Sequence, residues 1–247
     1  MNLALLSYNI RRGGHRREGA LARVIRDCAP DLVVLQEATR PDCTARIARE
    51  CGMRQWASES GRSLGYMSRV EVTHHAWHQP RGSRHAFLEI VLGASGARIF
   101  GVHLAAVHAA WTERRRRREL RALLDAVREL QPGAHILAGD FNTLAPGELL
   151  DLRKLPYRLR TLVWLSGGSI QWETIRAVLA ANYVDGFRML HPDEAGLTFP
   201  TWGAHVRLDY LFVPREMAAA LRSCEVITSG ATAQASDHFP LLARVEI

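Results

Sequence analysis

Lysine is almost missing from this chain of 247 residues: Lys154 is the only one. The formal net charge of +7 and the isoelectric point near 9.8 are therefore carried by arginine. Such a balance fits a polyanionic partner attracted at long range, and it fits a coding bias toward arginine equally well. Cysteine is scarce and unpatterned. Cys28, Cys43, Cys51 and Cys224 form no C-x-x-C pair and lie within apolar patterns, which favours reduced, buried thiols over a zinc site or a disulfide framework. Long hydrophobic runs are missing too: nothing approaches the roughly 18 apolar residues of a membrane-spanning helix, and Met1 to Leu6 is too short for the apolar region of a signal peptide. A transmembrane segment is excluded on this reading, and the cytoplasm is the expected location. There is no Pro/Gly/Ser linker, no internal repeat and no low-complexity run beyond Arg114 to Arg118, so one domain over residues 1–247 is expected. A hydrophobic content of 47% excludes a disordered or fibrous chain.

What is present is organised around His135 to Leu144, HILAGDFNTL. Ile136, Leu137 and Ala138 end in Gly139 and deliver Asp140, Phe141 and Asn142 into a loop, the pattern of a buried strand's end. In extended geometry Asp140 and Asn142 project to one side and Phe141 to the other. A carboxylate and an amide side by side suit a water or a metal-bound phosphate; an Asx turn closing the strand is the plainer alternative.

Other strands end in the same way. Leu3 to Asn9 reads as a strand running into a turn at Gly13 and Gly14. Leu21, Val24, Ile25 and Cys28 fall at i, i+3, i+4, i+7, an amphipathic helix closed by Pro30. Asp31 to Glu37, DLVVLQE, is a strand buried on both faces, and a parallel β-helix-β connection brings Glu37 to the same sheet edge as Asn9. Asp42 to Cys51 is a short helix stopped by Gly52. From Arg54 to Leu104 short strands alternate with turns, consistent with an antiparallel meander. His74, His75, His78 and His85 there repeat no zinc spacing and read as exposed strand histidines. His103, by contrast, closes the apolar strand ARIFGV.

Thr112 to Leu130 is the clearest helix, with Leu120, Leu123, Leu124 and Val127 on one stripe and Thr112 as its N-cap. Its first turns carry Arg114 to Arg118 at the positive end of the helix dipole, which costs roughly 0.3 to 1 kcal/mol per charge. Stepping back from Leu120 puts Arg116 and Arg117 on the sheet-facing stripe and leans Arg114, Arg115 and Arg118 toward solvent. Either Arg116 or Arg117 is thus a candidate to reach a substrate phosphate near His103, the alternative being a solvated face with local Glu113 and Glu119 pairs. Gln171 to Ala181 reads as a further helix. In Arg207 to Val213, RLDYLFV, Asp209 lies in an apolar strand, where a carboxylate is costly unless paired; His238 is its natural partner.

The strings SYNI, LQE, GVHL, AGDFN, RLDYLFV and SDHFPL, in that order over residues 7 to 240, resemble the endonuclease/exonuclease/phosphatase family, the DNase I-like metal-dependent phosphoesterases. The resemblance implies an α/β four-layer sandwich, two mixed β-sheets packed face to face with helices outside, and a site built from strand ends at one edge. It implies Asn9 and Glu37 as the metal-site pair, with Asp237 a further acidic residue near the metal and Mg²⁺ or Mn²⁺ as the hard cation such oxygen ligands suit. Asp140 is implied to align or deprotonate the attacking water, Asn142 to bind phosphate, His238 to act as the catalytic imidazole oriented through Asp209, and His103 to serve as a phosphate contact or second acid.

Departures bear on the substrate. Arg11 stands where abasic-site endonucleases of the family carry aspartate, and Val206 where they carry tryptophan before RLD. The tryptophan before GD and the WCDR motif of inositol-polyphosphate phosphatases are missing. Trp111, Trp164 and Trp202 are candidate stacking platforms for bases or sugar. The leading expectation is a phosphodiesterase acting on nucleic acid; the alternatives are a phosphoesterase on a phospholipid head group or small phosphorylated molecule, and a non-catalytic binding protein on this fold. Salt dependence separates the first two, because polyanion binding weakens steeply with ionic strength.

Overall fold

Alternation of apolar residues along nearly every strand decides the architecture. The computed structural model describes residues 1–81, 83–93, 95–106, 110–130, 133–148, 172–229 and 231–247; Lys154, Trp164 and the Gly167-Gly168 pair lie outside them. Strand β1 (Asn2–Asn9), helix α1 (Glu18–Cys28) and strand β2 (Leu32–Gln36) form a β-α-β unit with parallel strands. Helix α2 (Pro41–Glu50) and the hairpin β3 (Gln55–Ser58) and β4 (Leu64–Ser68) follow. A meander of β5 (Val72–His78), β6 (Phe87–Leu92) and β7 (Arg98–His103) leads through α3 (Ala110–Leu130) to β8 (His135–Asp140), parallel to β7. Helix α4 (Glu173–Ala180), β9 (Tyr183–Asp185), α5 (Gly186–Leu190), β10 (Asp209–Pro214), β11 (Leu221–Val226), α6 (Thr232–Ala235) and β12 (Leu241–Glu246) complete the described elements.

The strands form two mixed six-stranded sheets, in the orders β11-β12-β1-β2-β4-β3 and β5-β6-β7-β8-β10-β9. Odd and even residues of a strand face different layers, as a period of two requires. Leu3, Leu5, Leu32 and Val34 of the first sheet meet Ile99, Ile136, Ala138, Leu211 and Val213 of the second in the central core. Tyr8, Val33 and Leu35 turn outward to Leu21, Val24, Ile25 and Ile47 of α1 and α2. Phe100, Leu137, Tyr210 and Phe212 turn outward to Leu120, Leu123, Val127, Ile175 and Val178 of α3 and α4. Helix, sheet, sheet and helix are thus the four layers of the sandwich.

Three expectations change. The stretch from residue 54 to 104 is two pieces: β3 and β4 close the edge of the first sheet, and the chain crosses before β5 to begin the second. Hydropathy alternation looks the same in either sheet, so local pattern did not mark the crossing. Helix α3 begins at Ala110, so Thr112 lies inside its first turn and is not the N-cap. Asp209 opens β10 instead of lying within it. Among the histidines of this stretch His74 and His75 are exposed, as expected, with His75 Nδ1 3.2 Å from the Tyr66 hydroxyl; His78 and His85 are half-buried instead, with His78 Nε2 2.7 Å from Glu89 and His85 Nδ1 2.9 Å from Glu119. All four cysteines are free and buried, as expected.

One glycine is obligatory for the geometry of the edge that matters. Gly139 has φ +154°, and a Cβ there would stand 1.9 Å from the carbonyl oxygen of Val102 on the parallel neighbour. Only glycine lets β7 and β8 approach so closely beside their polar ends.

Candidate active site

Each sheet holds one parallel strand pair, and all four of these strands finish at one edge of the sandwich. That edge lies outside the C-terminal ends of the parallel strands, where open α/β sheets bind ligands. Asn9 pairs in register with Gln36, one residue before Glu37, and His103 pairs with Asp140. Asp209 enters the same edge from the antiparallel β10, opposite Asp140. The turn between α6 and β12 supplies Asp237 and His238, held by Ser236 Oγ donating to the Asn9 carbonyl at 2.6 Å.

Asp140 is the point on which these groups converge. Its Oδ1 accepts the Asn142 backbone N–H at 2.9 Å, an Asx turn. Its Oδ2 accepts Asn9 Nδ2 at 3.0 Å, a hydrogen bond joining the two sheets. The same oxygen lies 3.8 Å from His103 Nε2 and 3.9 Å from His238 Nε2, too far for direct hydrogen bonds and wide enough to admit a ligand oxygen. Burial pushes the Asp140 carboxyl up, and neighbouring Asp209 adds to that, against the lowering pull of His238, Asn9 and the Asn142 N–H, to about 7. His238 moves the other way: burial would lower it, but Asp209 first and Asp140 next raise it to about 9. Its Nδ1 lies 2.9 Å from Asp209 Oδ2, which aims Nε2 at the centre. Phe199 packs on the imidazole with centroids 4.8 Å apart. His103 is lowered to about 4, chiefly by burial, with His85 and His238 adding to it. A neutral imidazole at pH 7 favours the phosphate contact over the second acid.

The remaining expected residues are placed as follows. Asn142 adopts φ +53° instead of an extended conformation, so the Asx turn sets its direction, and its Nδ2 donates to the Leu104 carbonyl at 2.9 Å. Glu37, at φ +56°, accepts the Arg12 N–H at 2.6 Å. Arg11 and Arg12 also have φ near +50°, so four non-glycine residues in left-handed conformations ring this edge, a concentration of backbone strain typical of functional sites. Asp237 Oδ2 is met by Arg11 Nε at 3.1 Å.

Arg116 does not reach the centre. The residue is 1% exposed, and its guanidinium donates to Glu113 Oε2 from Nε at 3.1 Å and from Nη2 at 2.9 Å, and from Nη1 to the Ala105 carbonyl at 2.7 Å. Glu113 in turn takes the Thr143 hydroxyl at 2.9 Å and the Thr174 N–H at 2.7 Å. The pair therefore buttresses the two chain segments that carry His103 and Asn142. Arg117 pairs with Glu173 at 3.4 Å on the outside of α3.

Two features escaped the sequence reading. Arg17 reaches across the edge to the carbonyls of Ile10, Arg11 and Ala235 and ties the Asn9 loop to the turn holding His238. Arg207, 1% exposed, is clamped by Asp185 at 2.9 and 2.6 Å and by Glu148 at 2.7 Å beneath Asp209. Their partners lie far apart in the chain, so no local spacing announces them.

The donor chemistry suits a hard divalent cation. Asn9 Oδ1 and the Glu37 and Asp237 carboxylates offer only oxygen. Asp209 Oδ1 is buried with no hydrogen-bond partner among the described residues. Asp140, Asp209 and His238 also present ligand atoms within 4.8 Å of one another, but the His238 Nδ1 is already engaged by Asp209, which reads as an oriented acid-base pair more than a ligand triad.

A sequence profile of the endonuclease/exonuclease/phosphatase family matches residues 6–238. The chain belongs to this family. Its members are metal-dependent phosphoesterases. Solved structures agree on the fold. A 3′ phosphatase from Neisseria, bound to a product DNA hairpin, superposes with a TM-score of 0.77 at 20% identity, covering 99% of this chain and 100% of that one. An AP endonuclease from Archaeoglobus fulgidus gives 0.76 at 16% identity over 99% and 100%. A humanized TDP2 of D. rerio gives 0.69 at 18% over 100% and 99%. Comparison with curated proteins gives no match. Among the described residues no helix is long and apolar enough to cross a membrane.

Proposed function

We propose that the protein is a Mg²⁺- or Mn²⁺-dependent phosphodiesterase that cuts nucleic acid by in-line attack of water. The observation that carries this is the convergence on Asp140 Oδ2: Asn9 at 3.0 Å and two imidazole nitrogens at 3.8 and 3.9 Å surround one buried carboxylate oxygen. One fold relative, a 3′ phosphatase, is bound to a product DNA hairpin and another is an AP endonuclease, which supports the substrate class. Glu37 and Asn9, with Asp237 beside them, would hold the cation, which when bound neutralises charge developing on the phosphoryl oxygens.

The chain's own groups do the rest. Asp140, raised to about 7, is matched to take a proton from an attacking water near neutral pH. Asn9 Nδ2 and the Asn142 N–H fix both of its oxygens, so the accepting lone pair is aimed before substrate arrives. His238, held cationic by Asp209, donates from Nε2 to the phosphoryl or leaving-group oxygen. His103 and the second Asn142 N–H contact the remaining oxygens. The whole of residues 1–247 acts as one domain, since Asn9 and His238 must meet. Four buried, free cysteines suit the reducing cytoplasm.

The test is cleavage of supercoiled plasmid and of labelled single- and double-stranded oligonucleotides in Mg²⁺ or Mn²⁺, with EDTA and Asp140→Asn as controls. Metal-dependent cleavage lost in the variant is expected. No cleavage of DNA or RNA under either metal, with turnover of a phospholipid head group or small phosphoester, would overturn the nucleic-acid substrate.

A further inference from the structure

The arginine run at the start of α3 is sorted by its partners. Arg115 bonds Glu119 at 3.1 Å, Arg116 bonds Glu113 at 2.9 Å and Arg117 bonds Glu173 at 3.4 Å. Arg114 and Arg118 are exposed and pair with no acid among the described residues. They lie four apart, and Trp111, 50% exposed, lies three before Arg114, so the three side chains share one face of the helix.

This face borders a cleft of about 290 Å³ lined by Arg84, Trp111, Arg114, Arg115, Arg118 and Glu119. The cleft has a fixed wall. Glu119, buried, accepts the Arg84 N–H at 3.1 Å, faces His85 Nδ1 at 2.9 Å and accepts Arg115 Nε at 3.1 Å. One carboxylate thus binds the segment before β6 to α3 and holds the two sides of the cleft together. Glu119 and His85 also line a narrow gap whose far side is Val102, His103 and Leu104, and His103 is 3.8 Å from Asp140. The cleft thus lies beside the catalytic edge, with Glu119 lining both the cleft and the gap that reaches His103.

We propose that this cleft binds one unpaired strand of nucleic acid leaving the catalytic centre, with a base stacked on Trp111 and phosphates on Arg114, Arg118 and Arg84. The inference rests on the nuclease reading above and names the form of substrate it takes. An exposed aromatic face beside unmatched cations is the arrangement that holds single strands, because every base has a π-face and every link a charge. A duplex keeps its bases stacked inside and leaves Trp111 without a partner. An anionic membrane would use the arginines, but it is bound through several protruding apolar side chains, and among the described residues Trp111 is the only large exposed apolar one lining the cleft.

The experiment is anisotropy of a labelled single-stranded oligonucleotide of roughly 12 nucleotides with the full chain in EDTA, titrated at several salt concentrations. Arg114→Ser/Arg118→Ser should reduce the slope of log affinity against log salt by about 1.4, two phosphate contacts at roughly 0.7 each. Trp111→Ala should weaken binding about 5- to 150-fold, the range of one lost stacking contact. Arg128→Ser, at the far end of α3 and well exposed, is the control and leaves both quantities unchanged. All these side chains lie on the surface, and thermal melts establish that each variant is folded. Wild-type slope and affinity in both the arginine and tryptophan variants would overturn the cleft, as would absence of oligonucleotide binding, or tight binding to phosphatidylserine vesicles that those variants lose. If the wild type binds but cuts no oligonucleotide in Mg²⁺ or Mn²⁺, the nuclease reading falls and the cleft stands; if it cuts and the variants bind normally, the reverse holds.

Discussion

His238 is the residue through which charge enters the site. Its hydrogen bond to Asp209 has two separable consequences. The first is catalytic: Asp209→Asn keeps the shape but lets the ring settle in the wrong tautomer, and turnover is expected to fall about 10²- to 10⁴-fold with little change in substrate KM. Retention of more than half the turnover number would remove His238 from the mechanism. The second is thermodynamic. The folded chain holds the His238 proton up to about pH 9, against about 6.5 for a free histidine. The resulting stability is fully present below pH 6.5 and is lost as pH rises through 9. Thermal melts of metal-free wild type and His238→Gln should therefore show a gap that narrows between pH 6.5 and 9; a gap constant from pH 6 to 10 would contradict the assignment.

At the scale of elements, α3 is a clamp as much as a packing layer. The buried Arg116 and Glu113 join it to Ala105 and Thr143, two residues beyond His103 and one beyond Asn142. Arg116→Ala strands the Glu113 charge and is expected to cost about 3 to 5 kcal/mol of unfolding free energy, whereas Arg117→Ala, on a half-exposed pair, should stay within about 1 kcal/mol. Chemical denaturation of the two variants decides it, and similar losses would refute the clamp. The sequence carried the polar strand ends, because a buried apolar run that stops at Asn9, Glu37, His103 or Asp140 is a local signal. It also carried the apolar stripe of α3. It left Arg116 open between a substrate phosphate and Glu113, since helical periodicity reports which face is buried but not what a buried cation meets there, and the structure gives Glu113. It passed over Arg17 and Arg207, whose most distant partners, Ala235 and Glu148, are 218 and 59 residues away along the chain. The crossing between β4 and β5 was hidden for the same reason, strand alternation being identical in both sheets.

For the whole molecule, two sheets share one site, so anything binding there stabilises the assembled sandwich alone. A divalent cation at 100 times its dissociation constant should add about 2.7 kcal/mol, visible as a higher melting temperature in Mn²⁺ than in EDTA. Glu37→Ala should abolish the increment, and an undiminished increment would move the cation elsewhere. A subtler consequence follows from the hydrogen bond between Asn9 of β1 and Asp140 of β8. Each partner is fixed to its own sheet, so its length is a gauge of the spacing between them. Leu5→Ala or Leu211→Ala, in the central core and remote in function, would let the sheets settle closer by a fraction of an ångström. Misplacement on the order of 1 Å costs about 100-fold in rate, so the turnover of such core variants, measured where they remain fully folded, should fall well before their fold does. The centre of the sandwich thereby becomes a tuning element for chemistry performed at its rim.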